Sequence, residues 1–289
     1  MNGVLVVDKP RGPTSFDVVA RVRRATGVKR VGHAGTLDPM ASGVLPVCVG
    51  EATKLVPFLM AGEKVYVAEA RLGVTTDTFD ADGKILDERD ASHVTRAEVE
   101  AALAGFVGAI RQVPPMHSAL RVGGKRLYEL AREGVEIERE PRDVHIFEAR
   151  VDDFTDGRVR FTIRCGKGTY VRSLAADLGA RLGTGAHLIA LRRTRVGRFT
   201  VEQAIPLDAV DAIEGTQLAL VDPAGALDHL PALALDPAQA RDVRDGKVNV
   251  VAALPAASDG YTRLLRPDGT LLAVAERASG ALRLVRVFS

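Results

Sequence analysis

Apolar and polar residues alternate most regularly over residues 159–165. There Val159, Phe161, Ile163 and Cys165 oppose Arg160, Thr162 and Arg164. A two-residue period sends neighbours to opposite faces of a strand, so a half-buried strand is expected. The same period over residues 64–72 puts Tyr66, Ala68, Ala70 and Leu72 on one face of another strand. Residues 3–7 and 44–49 are apolar runs that suit buried strands. Helical spacing appears in Phe16, Val18, Val19 and Val22, after a Thr14-Ser15-Phe16-Asp17 capping pattern and before Gly27. Val171, Leu174, Ala175, Leu178 and Leu182 mark a second helix, and residues 94–106 a third.

Other stretches break these periods. Residues 32–43 are glycine-rich and are expected to form a loop. Residues 75–90 are polar, with an Asp82-Gly83 turn. Residues 111–135 mix Pro114-Pro115, Gly123-Gly124 and basic residues, and read as an insertion more than a core element. After about residue 225, short apolar runs alternate with Asp245-Gly246, Asp259-Gly260, Asp268-Gly269 and Ser279-Gly280. That spacing predicts a small all-β module over 235–289, joined by a linker at 223–237 to a larger α/β domain over 1–225.

Of the 289 residues, 46% are hydrophobic and 26% charged, an ordinary globular balance. No apolar run reaches the roughly 18 residues of a membrane span. The N-terminus reads as a strand and not a signal peptide, so a cytoplasmic protein is expected. Cys48 and Cys165 lie among apolar residues and no Cys/His cluster offers a metal site, so inert buried thiols are expected. The net charge of +2 is too small for a general nucleic-acid binder. Any RNA contact must come from local patches: Arg192, Arg193, Arg195 and Arg198, or Arg121, Lys125 and Arg126, or the basic residues of 21–30. Each patch could equally be a solvated face.

One loop carries unusual chemistry: Gly32-His33-Ala34-Gly35-Thr36-Leu37-Asp38-Pro39-Met40-Ala41-Ser42-Gly43-Val44-Leu45. An aspartate hemmed in by glycines and Pro39, between apolar strands, must face solvent or meet a cation. It is either a turn residue bonding its own backbone or a reactive carboxylate.

This loop matches every fixed position of the Gly-His-x-Gly-x-Leu-Asp-Pro-x-Ala-x-Gly-x-Leu signature, and here the chain resembles the TruB-type pseudouridine synthases, which act on the T-arm of tRNA. Further matches run in order through Asp8-Lys9-Pro10, Tyr66…Leu72-Gly73, Thr76-Asp77-Thr78…Asp80 and Pro114-Pro115…Ser118-Ala119. They continue through Lys125-Arg126-Leu127-Tyr128-Glu129, Lys167-Gly168-Thr169-Tyr170-Val171-Arg172 and Gly185-Ala186-His187…Leu191-Arg192-Arg193. The resemblance implies a mixed, mostly antiparallel central sheet with flanking helices and a C-terminal PUA-like β-barrel. It implies that Asp38 is the essential aspartate, Arg172 its partner, and Tyr66 the tyrosine against the target base. His33 would help hold the T-loop, Tyr170 and Leu191 would line the pocket, and Lys9 matches a lysine near the site. The basic residues Lys125, Arg126, Arg192 and Arg193 would then meet RNA. The implied enzyme is a monomer that uses no cofactor and no metal.

The residues suit that chemistry. Turning uridine into pseudouridine breaks N1–C1′ and joins C5 to C1′, with no redox change. A carboxylate could attack C1′, assist removal of the C2′ hydrogen, or add to C6. Arginine's planar fork would hold it ionised and aimed. A tyrosine offers a flat ring and a proton relay. The base must leave its stack to be reached. Each residue also has a plainer reading: Tyr66 as core, Arg172 at a helix start, His33 as a turn cap, His187 as structural. A non-catalytic RNA-binding or tRNA-folding protein on this scaffold would show the same basic patches.

Overall fold

The computed structural model describes residues 1–288 apart from 117, 119–120, 123–124, 128–129, 131–133, 136, 213–217, 256–258 and 279. Its main sheet contains β1 (Gly3–Lys9), β2 (Val31–His33), β3 (Ala41–Val49) and β4 (Lys64–Leu72). A side hairpin of β5 (Val74–Thr76) and β6 (Ile85–Glu88) follows, then β7 (Gly108–Gln112) in the main sheet. The short pair β8 (Arg121–Val122) and β9 (Lys125–Arg126) stands apart. The main sheet is completed by β10 (Arg142–Thr155), β11 (Arg158–Cys165), β12 (Ala186–Val196), β13 (Phe199–Thr200) and β14 (Ile205–Pro206). The strand order is β14-β1-β3-β12-β4-β11-β10-β7, with β2 against β3 and β13 against β12. Only β1 with β14 and β12 with β3 run parallel among the described pairs of this sheet, so the expected mixed, mostly antiparallel sheet is found.

The helices α1 (Ser15–Thr26), α2 (Val56–Ala61), α3 (Arg96–Ala104) and α4 (Val171–Arg181) flank it. The capping pattern works as expected: the Thr14 side chain accepts from Asp17 N and the Asp17 carboxylate accepts from Thr14 N, an arrangement worth about 1 kcal/mol. Gly27 then ends α1 in the left-handed region at φ 67°.

Alternation splits β1 and β3 between two cores. On β1, Leu5 and Val7 point to the core beneath α1 and α4, while Val4 and Val6 point to the opposite side. On β3, Leu45 and Val47 join the first core, Val44 and Cys48 the second. Tyr66, Ala68, Ala70 and Leu72 share the first core, as their spacing predicts.

The glycine-rich stretch is shorter as a loop than its composition suggests. Its ends are strand, through β2 and the start of β3, and only residues 34–40 lie between them. The 111–135 segment also begins inside the sheet, since Arg111 and Gln112 pair with Asp143 and Arg142.

The C-terminal module departs from expectation twice. It contains two helices, α7 (Pro237–Arg244) and α8 (Val248–Ala253), after α5 (Leu207–Ala212) and α6 (Pro223–Ala226). Asp236 caps α7 through the backbone N–H groups of Ala238 and Gln239, with Pro237 in its first turn. Asp245-Gly246 therefore ends a helix and turns no hairpin. Nor is there a closed barrel. The strands β15 (Ala232–Ala234), β16 (Gly260–Leu265), β17 (Leu271–Ala278) and β18 (Ala281–Val287) form an open four-stranded sheet in that order. Beyond β18 no described strand returns to β15, so the expected PUA-like barrel is not confirmed: the described residues show no closed barrel.

The segment read as a linker is firmly held. Val4 and Val221 exchange backbone hydrogen bonds of 2.8 and 2.9 Å. Arg198 bonds Gly225 O and pairs with Asp228 from one side, and Arg263 donates to Ala224 O and Leu230 O at 2.9 Å from the other. Ala224, Ala226, Leu227, Leu271, Val274 and Phe288 pack with Val4, Val6, Val44, Cys48 and Phe58 in the second core.

Candidate active site

The loop over residues 34–40 is tied down at several points. Ala34 N donates to Pro46 O at 2.9 Å, and Ala41 N to Asp38 O at 3.0 Å. Ser15, at the start of α1, accepts from Leu37 N at 2.8 Å and donates to Leu37 O at 3.0 Å. A buried serine thus satisfies both backbone groups of the residue before Asp38, which fixes where the carboxylate emerges.

Asp38 projects toward the start of α4. Arg172 Nε lies 2.9 Å from Asp38 Oδ2, with the Asp38 side chain 34% exposed and Arg172 4%. The cation also meets a second carboxylate: Arg172 Nη1 lies 3.3 Å from Asp80 Oδ2 and donates to Thr78 O at 3.1 Å. Asp80 is buried, and its Oδ1 accepts from Thr78 Oγ1 at 2.6 Å and Asp82 N at 3.1 Å. The result is a file of carboxylate, guanidinium and carboxylate in which only the first member meets solvent. Burial raises the Asp38 carboxyl above its ordinary range and Asp80 adds to that, while Arg172 and Lys9 oppose it.

Asp80 is the residue that sequence reasoning passed over. It stood in a matching Thr-Asp-Thr…Asp stretch, but its place in a polar turn region gave no hint that it would be buried behind Arg172.

Tyr66 lies on β4, nearly buried, in the same core as Leu37, Met40 and Leu191. Burial raises its phenol above the usual range, with the Arg193 charge opposing. Tyr170, the residue before α4, is held by a reciprocal pair: Gln112 Nε2 donates to Tyr170 O at 3.0 Å and Tyr170 N donates to Gln112 Oε1 at 2.8 Å. Ser173 Oγ donates to Val113 O at 2.9 Å. The start of the 111–135 segment is therefore stapled to the turn that carries Arg172. His33 ends β2, and burial, with the Arg193 charge, holds its imidazole below the ordinary range. Its Nδ1 is buried with no hydrogen-bond partner among the described residues.

Two of the basic residues expected near the site lie inside the protein. Lys9 is 0% exposed, and its ammonium donates to Pro10 O and Pro13 O at 2.9 Å and reaches Pro39 O at 3.5 Å. Arg193 is 1% exposed and donates to the carbonyls of Gly35, Thr36 and Val44. Both brace the Asp38 loop from within. Arg192 points the other way and forms a bidentate pair with Asp8, at 3.1 and 2.7 Å. The side chains of Lys125 and Arg126 lie outside the described residues. His187 is structural, with Nδ1 2.9 Å from Val74 O. Both cysteines are buried, their thiols pushed up to about 12 for Cys48 and about 11 for Cys165.

No helix among the described residues is long and apolar enough to cross a membrane, and no metal-holding cluster of His, Cys, Asp or Glu occurs among them. A cavity of about 560 Å³ lies between residues 71–74, 88–94 and 154–157 and includes none of the residues around Asp38. Cavity size is no guide to the site here.

The sheet and its helices are the pseudouridine synthase fold. The chain superposes over 99% of its length on the archaeal box H/ACA Nop10-Cbf5 complex (TM-score 0.73, 26% identity, 86% of that chain). It does so equally on a Cbf5-Nop10-Gar1 complex (TM-score 0.74, 28% identity, 85% of that chain). The TruB family pseudouridylate synthase N-terminal model matches residues 23–171, and the tRNA pseudouridylate synthase B C-terminal model matches residues 172–226. The tRNA pseudouridine synthase B of Thermobifida fusca is 48% identical over 100% of this chain and 99% of its own length. That of Symbiobacterium thermophilum is 53% identical over 80% of this chain and 77% of its own. The chain belongs to the TruB family of pseudouridylate synthases. It is an enzyme of the isomerase class.

Proposed function

We propose that this enzyme converts the uridine at position 55, in the T-loop of tRNA, to pseudouridine, with Asp38 as the nucleophile on a flipped-out nucleotide. The observation that carries the reading is the Asp38–Arg172–Asp80 file. One carboxylate oxygen is held 2.9 Å from a buried guanidinium, while the other side of the group is open to a substrate. Arg172 favours the anionic form of Asp38 against the effect of burial, and Asp80 keeps Arg172 in place. The intact file favours this reading over a non-catalytic RNA-binding protein, which has no use for it. The curated relatives, named tRNA pseudouridine synthase B, support tRNA as the substrate.

In this reading the Tyr66 ring packs against the uracil, and Tyr170 and Leu191 line the pocket. His33 holds the T-loop once the base has left; its unpartnered Nδ1 is a place for an RNA hydroxyl or base to bond. Arg192, Lys125 and Arg126 meet the phosphates, the last two from the 111–135 segment. Residues 1–225 perform the chemistry and 235–289 hold a further part of the tRNA. The enzyme works as a cytoplasmic monomer and needs only its own side chains, since the reaction rearranges bonds within one nucleotide. N1–C1′ breaks with its electron pair going to N1, C5 joins C1′, the C5 hydrogen leaves as a proton, and N1 takes up a proton, so the product is an isomer of uridine.

That lost hydrogen is the test. Tritium release from tRNA carrying 5-³H-uridine is expected from the wild type and not from Asp38→Ala, at a single T-loop site. Tight tRNA binding with no release from either protein would reject the synthase reading.

A further inference from the structure

Three backbone carbonyls around the Asp38 loop converge on one side chain. Arg193 Nε donates to Val44 O at 2.8 Å, Nη2 to Gly35 O at 3.1 Å and Nη1 to Thr36 O at 3.3 Å. Gly35 and Thr36 precede Asp38, and Val44 follows it. The backbone of Arg193 is equally committed. It pairs with Gly43 on β3 and with Tyr66 on β4. Gly43 has φ +108°, and a Cβ there would stand 2.1 Å from Arg193 O, so the loop's exit is pressed against this residue with no room for another side chain. The guanidinium also lies close enough to the Tyr66 phenol to act on its ionisation.

A buried guanidinium that spends its donors on carbonyls is an expensive way to fill a core, because its desolvation is repaid only by well-made bonds. An apolar residue would fill the space at lower cost. The rigid fork supplies what an apolar residue cannot: a fixed distance between the two flanks of the loop and the strand that carries Tyr66. We infer that Arg193 is a positioning residue that sets the Asp38 carboxylate against the Tyr66 ring by gripping both flanks of the loop from beneath. This rests on Asp38 being the reactive carboxylate. It gives Arg193 a part in turnover without contact to RNA.

The test is single-turnover tritium release with enzyme in saturating excess over 5-³H-uridine tRNA. Under those conditions the rate constant does not depend on the fraction of enzyme that is folded. Wild type, Arg193→Lys, Arg193→Met and Asp38→Ala are compared, with tRNA affinity and thermal melting measured for each. For Arg193→Lys, which keeps the cation and loses the fork, the rate constant is expected to fall about 100-fold, the usual effect of a misplacement near 1 Å. Its tRNA affinity should stay within about threefold. Arg193→Met should lose at least as much. Should the methionine variant fail to fold, the lysine variant decides alone. A folded Arg193→Lys at near wild-type rate overturns the inference, and so does a loss confined to affinity. Failure of both variants to fold also overturns it, since the arginine is then a determinant of the fold and not of the geometry at Asp38. The control separates the two readings. Activity in Asp38→Ala rejects the proposed function, whereas a dead Asp38→Ala beside an active Arg193→Lys rejects only this inference.

Discussion

The two faces of the main sheet are built from the same strands and solve opposite problems. Toward the cleft, Lys9, Arg193, Arg172 and Asp80 are all buried, each bonded to backbone or to another charge. Toward the C-terminal module, the same strands present Val4, Val6, Val44 and Cys48 to Leu271, Val274 and Phe288. The buried charges of the first face cost stability to hold a few atoms in place beside its apolar core, whereas the seam on the second face is chiefly apolar packing. Changes on the cleft face should therefore cost turnover more than folding, and changes at the seam the reverse.

The largest expected effect is at Asp38. Asp38→Asn should lower single-turnover tritium release by at least about 10⁴-fold, as removal of a nucleophile does, with tRNA affinity kept within a few fold. Binding lost by orders of magnitude would break the assignment of the cleft face to chemistry. Asp80→Asn comes next. It leaves Arg172 with one carboxylate, so the rate constant should drop by about 10- to 100-fold through misplaced geometry. A wild-type rate would show that Asp38 alone holds the guanidinium.

At the seam, Leu271→Ala should cost about 2–5 kcal/mol of folding stability, read from denaturant melts, with the rate constant unchanged where the protein is folded. A slowed reaction in folded protein would mean that the faces are coupled. Deleting residues after 230 goes further along the same line, because it strips the cover from Val4, Val6, Val44 and Phe58 and should leave an aggregation-prone chain.

The smallest effect concerns pH. Burial lowers the Lys9 ammonium to about 8, and the nearby Asp38 charge opposes this. Below pH 8 both folded and unfolded chains carry the proton. Between about pH 8 and the ordinary value of 10.5 the unfolded chain keeps it and the folded chain loses it, so this group's contribution to stability rises with pH. The cation facing Asp38 vanishes over the same interval, so turnover should decline by a few fold as pH passes 8. Lys9→Arg stays charged and should move that decline upward. An unmoved profile would assign the decline to another group, Lys64 being the nearest candidate with its own pKa lowered to about 8.

Much of this was legible before any coordinates. Alternation placed the face of β4 that carries Tyr66, and the caps placed α1. The Asp38 loop stood out because an acidic residue sits beside Pro39 among glycines that permit backbone angles other residues resist, between apolar runs. What escaped had a common cause, since it depended on partners distant in the chain. Arg192-Arg193 looks like a surface pair, but one points outward to Asp8 and the other inward. Register shifts at Leu188/Ala190 and Arg193/Arg195 on β12 erase the parity that would have revealed it. Asp80 needed Arg172, ninety-two positions further on, before it became more than a turn residue. Asp245-Gly246 has the composition of a hairpin turn, and only the cap at Asp236 ahead of it identifies the end of a helix. The closed barrel failed because recurring turns fix the number of reversals and not whether the last strand meets the first.

The grip of Arg198 and Arg263 on residues 224–230 has a consequence for ancestry. The C-terminal module is packed onto the main sheet and does not hang from it as an independent bead. A replacement arriving by gene fusion would have to bring an apolar face shaped to Val4, Val6 and Phe58, and a donor standing where Arg263 stands. Changes on either side of the seam are expected to appear in pairs.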